Sequence, residues 1–348
     1  MISSPINPAL GHTAMLCPSV TLWPSVTLWP SVTLWLSVLL CLSAACGLPG
    51  DNTARAQPPA SDTTIRDIRA RKIPTSLPRD LREASAVVMS PASPGVLWTI
   101  NDSRNDPVVF AIDTNGTPLG RWRVDGARNL DWEAAASGPC RANNPAHCLY
   151  IGDVGDNSAI RRVVTVYRVI DGPAVESRSL AVETLTFRYS DGAHDVEAMY
   201  VMPHGTMYFI TKRPLKDPAG RLRPALVFSL PASAWDADSV VTAELVDSLA
   251  IVPGTGPIRM ITDAAIAPGG RHLAVRTYTE LWIFATDPES GRVRAGVRPT
   301  ICDLSQLEER QGEAVTWLDA TGRLLLMSEG QSAPLWAIEC PIPLRRGT

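Results

Sequence analysis

From residue 83 to residue 340 the chain is a succession of short apolar runs broken by turn residues. Runs at 86–89, 95–100, 108–112 and 119–124 predict four short strands, with a turn at Asp113-Thr114-Asn115-Gly116-Thr117 closing the third. The same spacing returns at 148–151, 163–169 and 183–189, and again at 206–210, 225–230 and 243–249. Further runs lie at 272–276 and 280–284, then at 314–318, 324–327 and 334–338. Residues 183–189 alternate apolar and polar cleanly, as a strand with one buried face does. The first unit carries no helical period, and 304–309 reads as a short helical turn.

Each group opens on an acidic residue followed by alanine: Glu83-Ala84, Glu133-Ala134, Glu197-Ala198, Asp263-Ala264 and Glu313-Ala314. The steps between them are 50, 64, 66 and 50 residues, the length of a supersecondary repeat. The pattern predicts an all-β body at 81–340, a single β-propeller of five four-stranded blades. Six blades also fit the two longer steps, and a β-sandwich is the competing fold. The last unit lacks a fourth strand, which residues 64–72 on the N-terminal side are expected to supply.

The first 46 residues differ in kind. Pro-Ser-Val-Thr-Leu-Trp repeats in tandem at 18–23, 24–29 and 30–35, ahead of an apolar run that ends Ser43-Ala44-Ala45-Cys46. This reads as an export leader with Cys46 in the place of a bacterial lipoprotein cysteine, so that lipid on Cys46 would tether the protein to a membrane. No Lys or Arg precedes Arg55, and an uncleaved membrane anchor is the alternative. Residues 47–80 have the composition of a tether, and 341–348 form a tail. Formal net charge is -3, which excludes a nucleic-acid footprint. Outside the leader four cysteines remain, and an oxidising compartment allows Cys140 to pair with Cys148 and Cys302 with Cys340.

If the first strand of each unit lines a common channel, the repeat carboxylates meet at one mouth. Asp131 with Glu133 and Asp195 with Glu197 are i,i+2 pairs, so both members of each point the same way. Clustered carboxylates repel unless a proton or cation neutralises them, and hard oxygen ligands favour calcium or magnesium. The expected metal set is Asp131, Glu133, Asp195, Glu197, Asp153 and Glu313, with Ca2+ the expected ion. Ends of the second strands add Asn101, Asp102, Lys212, Arg213, Arg276 and Glu329. Lys212, Arg213 and Arg276 could clamp an anionic oxygen, and His194 could move a proton. There is no nucleophile elbow and no phosphate loop.

The pieces Trp98-Thr99-Ile100-Asn101-Asp102-Ser103, Asn129-Leu130-Asp131-Trp132-Glu133, Tyr150-Ile151-Gly152-Asp153-Val154-Gly155-Asp156-Asn157, His194-Asp195-Val196-Glu197-Ala198 and Gly312-Glu313-Ala314-Val315 resemble a family of exported bacterial β-propeller proteins. More loosely, the chain is similar to phytase-like and esterase-like propeller domains, some of which bind calcium and cleave phosphoesters. The resemblance implies the fold and export and transfers no catalytic residue. Two functions are therefore expected in competition. One is a cell-envelope scaffold recognising a protein or a small anionic ligand; the other is a calcium-dependent hydrolase of a phosphoester or other anionic ester.

Overall fold

The computed structural model describes residues 64–342, apart from 143–144, 175–176 and 255–258. Among the described residues the named elements are β-strands together with a short 3-10 helix at Ala232–Asp236. Two short strands come first, β1 (Thr64–Ile65) and β2 (Arg69–Ile73). A meander follows: β3 (Ala84–Met89), β4 (Val96–Asn101), β5 (Val108–Asp113) and β6 (Pro118–Val124). Next come β7 (Trp132–Pro139), β8 (His147–Asp153), β9 (Val164–Ile170), β10 (Ser177–Leu180) and β11 (Glu183–Tyr189). The third group holds β12 (Val196–Val201), β13 (Met207–Thr211), β14 (Leu215–Lys216), β15 (Leu222–Arg223), β16 (Leu226–Leu230) and β17 (Val241–Ser248). The fourth has β18 (Ile261–Ile266), β19 (His272–Thr277), β20 (Glu280–Ala285) and β21 (Thr300–Asp303). The last has β22 (Gly312–Trp317), β23 (Arg323–Ser328) and β24 (Leu335–Glu339).

Burial explains the patterns. The opening strands β12 and β22 are buried at every position, so they carry continuous apolar runs broken only by their special polar residues. Outer strands keep one wet face: in β11 Leu185, Phe187 and Tyr189 point inward while Thr184 and Arg188 on the other face stay exposed. Trp98 and Trp122 pack against each other between strands of the first meander, with ring centroids 3.9 Å apart.

The sheets do not divide as the repeat suggested. Strand β11 pairs in parallel with β17, Phe187 opposite Val241 and Tyr189 opposite Ala243. That pairing fuses the second and third groups into one eight-stranded sheet, in the order β12-β13-β16-β17-β11-β9-β8-β7. Its end strands β12 and β7 pack side by side, so the sheet is a near-closed barrel. The other groups are open sheets of five, five and four strands, and β14 with β15 forms a separate ribbon. The expected propeller of five or six separate four-stranded blades is thus corrected. Period and turn signals locate strands but say nothing about which outer edges find each other. Here two exposed edges are satisfied by a parallel partner from another group. The same holds for β10, which runs parallel to β6, and for β1, which runs parallel to β21. Strand β2 lies antiparallel to β24, with Arg69 opposite Glu339.

What positions the site is the packing of the opening strands. Strands β3, β7, β12, β18 and β22 lie against one another in that order, and β22 lies against β3. Two disulfides tie down connections, Cys140–Cys148 with Cα atoms 4.9 Å apart and Cys302–Cys340 with 6.2 Å. Both fit an oxidising, extracytoplasmic environment. The leader, its hexapeptide repeat and Cys46 lie outside the described residues. No helix among the described residues is long and apolar enough to cross a membrane.

Candidate functional site

All five opening strands slip register by one residue near their start. The skipped positions are Ser85, Glu133, Glu197, Thr262 and Glu313. A bulge of this kind inserts a residue into one strand and re-aims its side chain. Ser85, Glu133, Glu197 and Glu313 line one cavity of about 610 Å³ at the start of these strands. The acidic-alanine repeat is therefore a bulge repeat in three of its five occurrences. In the first unit the bulged residue is Ser85, so Glu83 falls out of step and is exposed. In the fourth it is Thr262, and Asp263 turns inward instead, accepting the N–H groups of Ala264 and Val315 at 2.8 Å each.

Asp102, Asp131 and Glu133 come together at this end. Each offers one carboxylate oxygen, and the three oxygens lie within 4.8 Å of one another. Oxygens about 2.4 Å from one calcium ion are at most about 5 Å apart, so the set fits a hard divalent cation. The supports are built from the chain around it. Asp153 is buried and accepts the N–H groups of Leu130 and Asp131, both at 3.2 Å, while Arg161 neutralises it at 2.8 Å. Asn129 donates to the carbonyls of Asn101 (3.0 Å) and Asp102 (2.7 Å), tying the end of β4 to the start of β7. Gly155 donates to the Asp131 carbonyl at 3.2 Å. A Cβ at Gly155 would stand 2.6 Å from both Asp131 Oδ2 and Glu133 Cγ, so only glycine lets this loop close over the carboxylates.

The electrostatics favour added positive charge. Burial, then the Asp102 and Asp195 charges, push the Asp131 carboxyl up to about 6. Burial, with Glu197 and Asp102 next, holds Glu133 well above the usual carboxylate range. Glu197 is pushed to about 8 by burial, against the pull of Lys212, whose Nζ lies 2.8 Å from Glu197 Oε1. Burial disfavours the Lys212 ammonium, yet Glu197, Glu313, Tyr278 and Glu133 together raise it above its ordinary value. Burial and the neighbouring carboxylates also lift Glu329 to about 7. Around the cavity Asp102, Glu133, Glu197, Glu309, Glu313 and Glu329 outnumber Lys212, Arg213 and Arg310.

The remaining expected residues take other places. Asp195 is buried, accepts the Asp156 N–H at 2.9 Å and pairs with Arg213 at 2.6 Å. Asp153 sits behind the triad as a support. Arg276 has no exposed surface; it donates to the carbonyls of Ala314 (2.7 Å) and Met327 (3.1 Å) and pairs with Glu309. Gly312 makes room for it, since a Cβ there would overlap the Arg276 guanidinium. His194 bonds Asp191 Oδ1 at 2.7 Å and packs its ring on Tyr189 and Phe228, away from the cavity lining. Asp102 was legible only as a polar strand end, and residues 152–157 only as a tight, glycine-permitted loop offering oxygen ligands; the closure of Gly155 over the triad and the role of Asn129 were not. The signal that could have found them is the density of Asn, Asp and Gly in 101–105, 129–131 and 152–157.

No family model and no curated protein sequence matches the chain. With the sheet order above, this overturns the resemblance to a family of propeller proteins. Among solved structures, a luciferin-regenerating enzyme superposes with TM-score 0.40 and 8% identity, over 79% of this chain and 97% of that one. Kuenenia stuttgartiensis hydrazine synthase gives TM-score 0.40 and 11% identity, over 78% and 99%. Likeness this weak carries no argument about fold or activity.

Proposed function

We propose that the protein is an extracytoplasmic binding domain whose Asp102, Asp131 and Glu133 hold a divalent cation, calcium by its oxygen donors. The observation that carries this is the convergence of three carboxylate oxygens under a glycine lid. A cation there neutralises acids that burial and mutual repulsion otherwise drive toward protonation. The ion fixes the mouth of the cavity, and the ligand is recognised beside it. The ester-hydrolase reading has less support. Lys212, Arg213 and Arg276 are each engaged by a carboxylate, which leaves them poor clamps for a developing anion. The surplus of acids around the cavity also disfavours an anionic ligand unless the cation is bound first.

Calorimetric titration of chelator-treated protein with calcium tests the reading. One saturable site, lost in the Asp131→Asn/Glu133→Gln double variant, is the expected result. Absence of saturable binding in the wild type would remove the proposal. Turnover of phosphoesters that the double variant abolishes would replace it with the hydrolase.

A further inference from the structure

The opening strands end in a second cavity, of about 600 Å³, with a lining of the opposite character. Its inner wall is built from small or apolar residues: Ala135, Ala136, Met199, Val201, Ala264 and Ala265. Met89, Ile266 and Leu318 stand half-buried at its rim. Among the described residues no Asp, Glu, Lys or Arg lines it. We propose that this cavity binds one uncharged, largely apolar small molecule, independently of the cation site.

Three observations select that ligand class. The volume lies within the roughly 300–1,000 Å³ of small-molecule pockets, which are mostly apolar with few polar groups. A charged ligand would lose its hydration and find no permanently charged side chain on these walls. Pro91, Pro203 and Pro268 line the opening and carry no backbone N–H, so this part of the rim offers little ladder to a partner's strand. The few polar groups lie to one side. Ser137 on β7 and His147 on β8 line the cavity, and Ser137 Oγ and His147 Nδ1 are buried without a hydrogen-bond partner. A ligand with a single hydrogen-bonding end would be met best there.

The test uses the neutral fluorophore nile red, with the anionic fluorophore anilinonaphthalene sulfonate as comparison. Nile red should bind with one saturable site and blue-shifted emission, and the anion at least tenfold more weakly. Ile266→Arg charges the half-buried rim and Ala265→Trp fills the wall; each should weaken nile red at least tenfold. Calcium titration of the same variants reports whether they are folded. Hydrogen exchange on the wild type gives a second reading that needs no variant, with slowed exchange expected at 135–139, 199–203 and 264–269 when nile red is bound. Lack of saturable binding, binding without protection of those segments, or folded variants that bind as well as wild type would each overturn the proposal. So would a sedimenting dimer that Ile266→Arg dissociates, since a second copy would then cover the cavity.

Discussion

Lys212→Met keeps the length of the side chain and removes the ammonium that lies 2.8 Å from Glu197 Oε1. Lys212 is buried among Glu197, Glu313 and Glu133, so its charge is what lets the cluster keep a carboxylate ionised. Glu313, which burial raises and the Lys212 charge lowers, loses that pull, so the folded cluster takes up a proton that the wild type does not hold. For a glutamate of ordinary value 4.5, holding a proton at about pH 7.5 costs about 1.4 kcal/mol per pH unit, or about 4 kcal/mol. At about pH 5.5 the same cost is about 1.4 kcal/mol. Relief of the buried ammonium's own desolvation lowers both figures equally, so the pH slope is the sharper expectation. The sign follows from proton uptake. The variant's folded state binds the extra proton, so its stability falls relative to wild type as pH rises from about 4.5 through the raised carboxyl values. Urea midpoints of both proteins, with chelator present, at about pH 5.5, 6.5 and 7.5 measure this. A stability gap that stays flat with pH, or widens toward acid, would refute the reasoning.

Calcium affinity should fall on acidification below about pH 6, because the Asp131 carboxyl at about 6 must lose its proton to ligate. For the metal-free protein the sign is opposite: a raised folded value means Asp131 stabilises progressively as pH falls from about 6 toward 4, and melting curves with and without calcium should cross in that sense. Gly155→Ala should cut calcium affinity at least tenfold by calorimetry, since its Cβ meets Asp131 and Glu133 at 2.6 Å; unchanged affinity would refute the lid. Replacing both cysteines of a bridge by serine should cost more at Cys302–Cys340 than at Cys140–Cys148. Their separations of 38 and 8 residues give about 4 and about 2.5 kcal/mol in the chain-entropy account, checked by urea denaturation.

The sequence by itself determined the all-β character, the position of most strands and the even set of cysteines that pair. Those features are local: alternation in 183–189 needs only one wet face, and turn residues act on their own neighbours. It also marked Glu133, Glu197 and Glu313, because a bulged position repeats with the strand that carries it. Tertiary structure alone decided the rest. Glu83 and Asp263 share the sequence pattern but miss the bulge by one or two residues, and a slip of one residue sends a strand's side chain to the other face. Asp102 joins Asp131 and Glu133 only because Asn129 binds the end of one strand to the start of another. The parallel pairing of β11 with β17 joins residues more than fifty positions apart, and nothing local in either strand specifies it. Edge strands are satisfied by whichever partner the packing brings alongside, and that is a property of the folded chain.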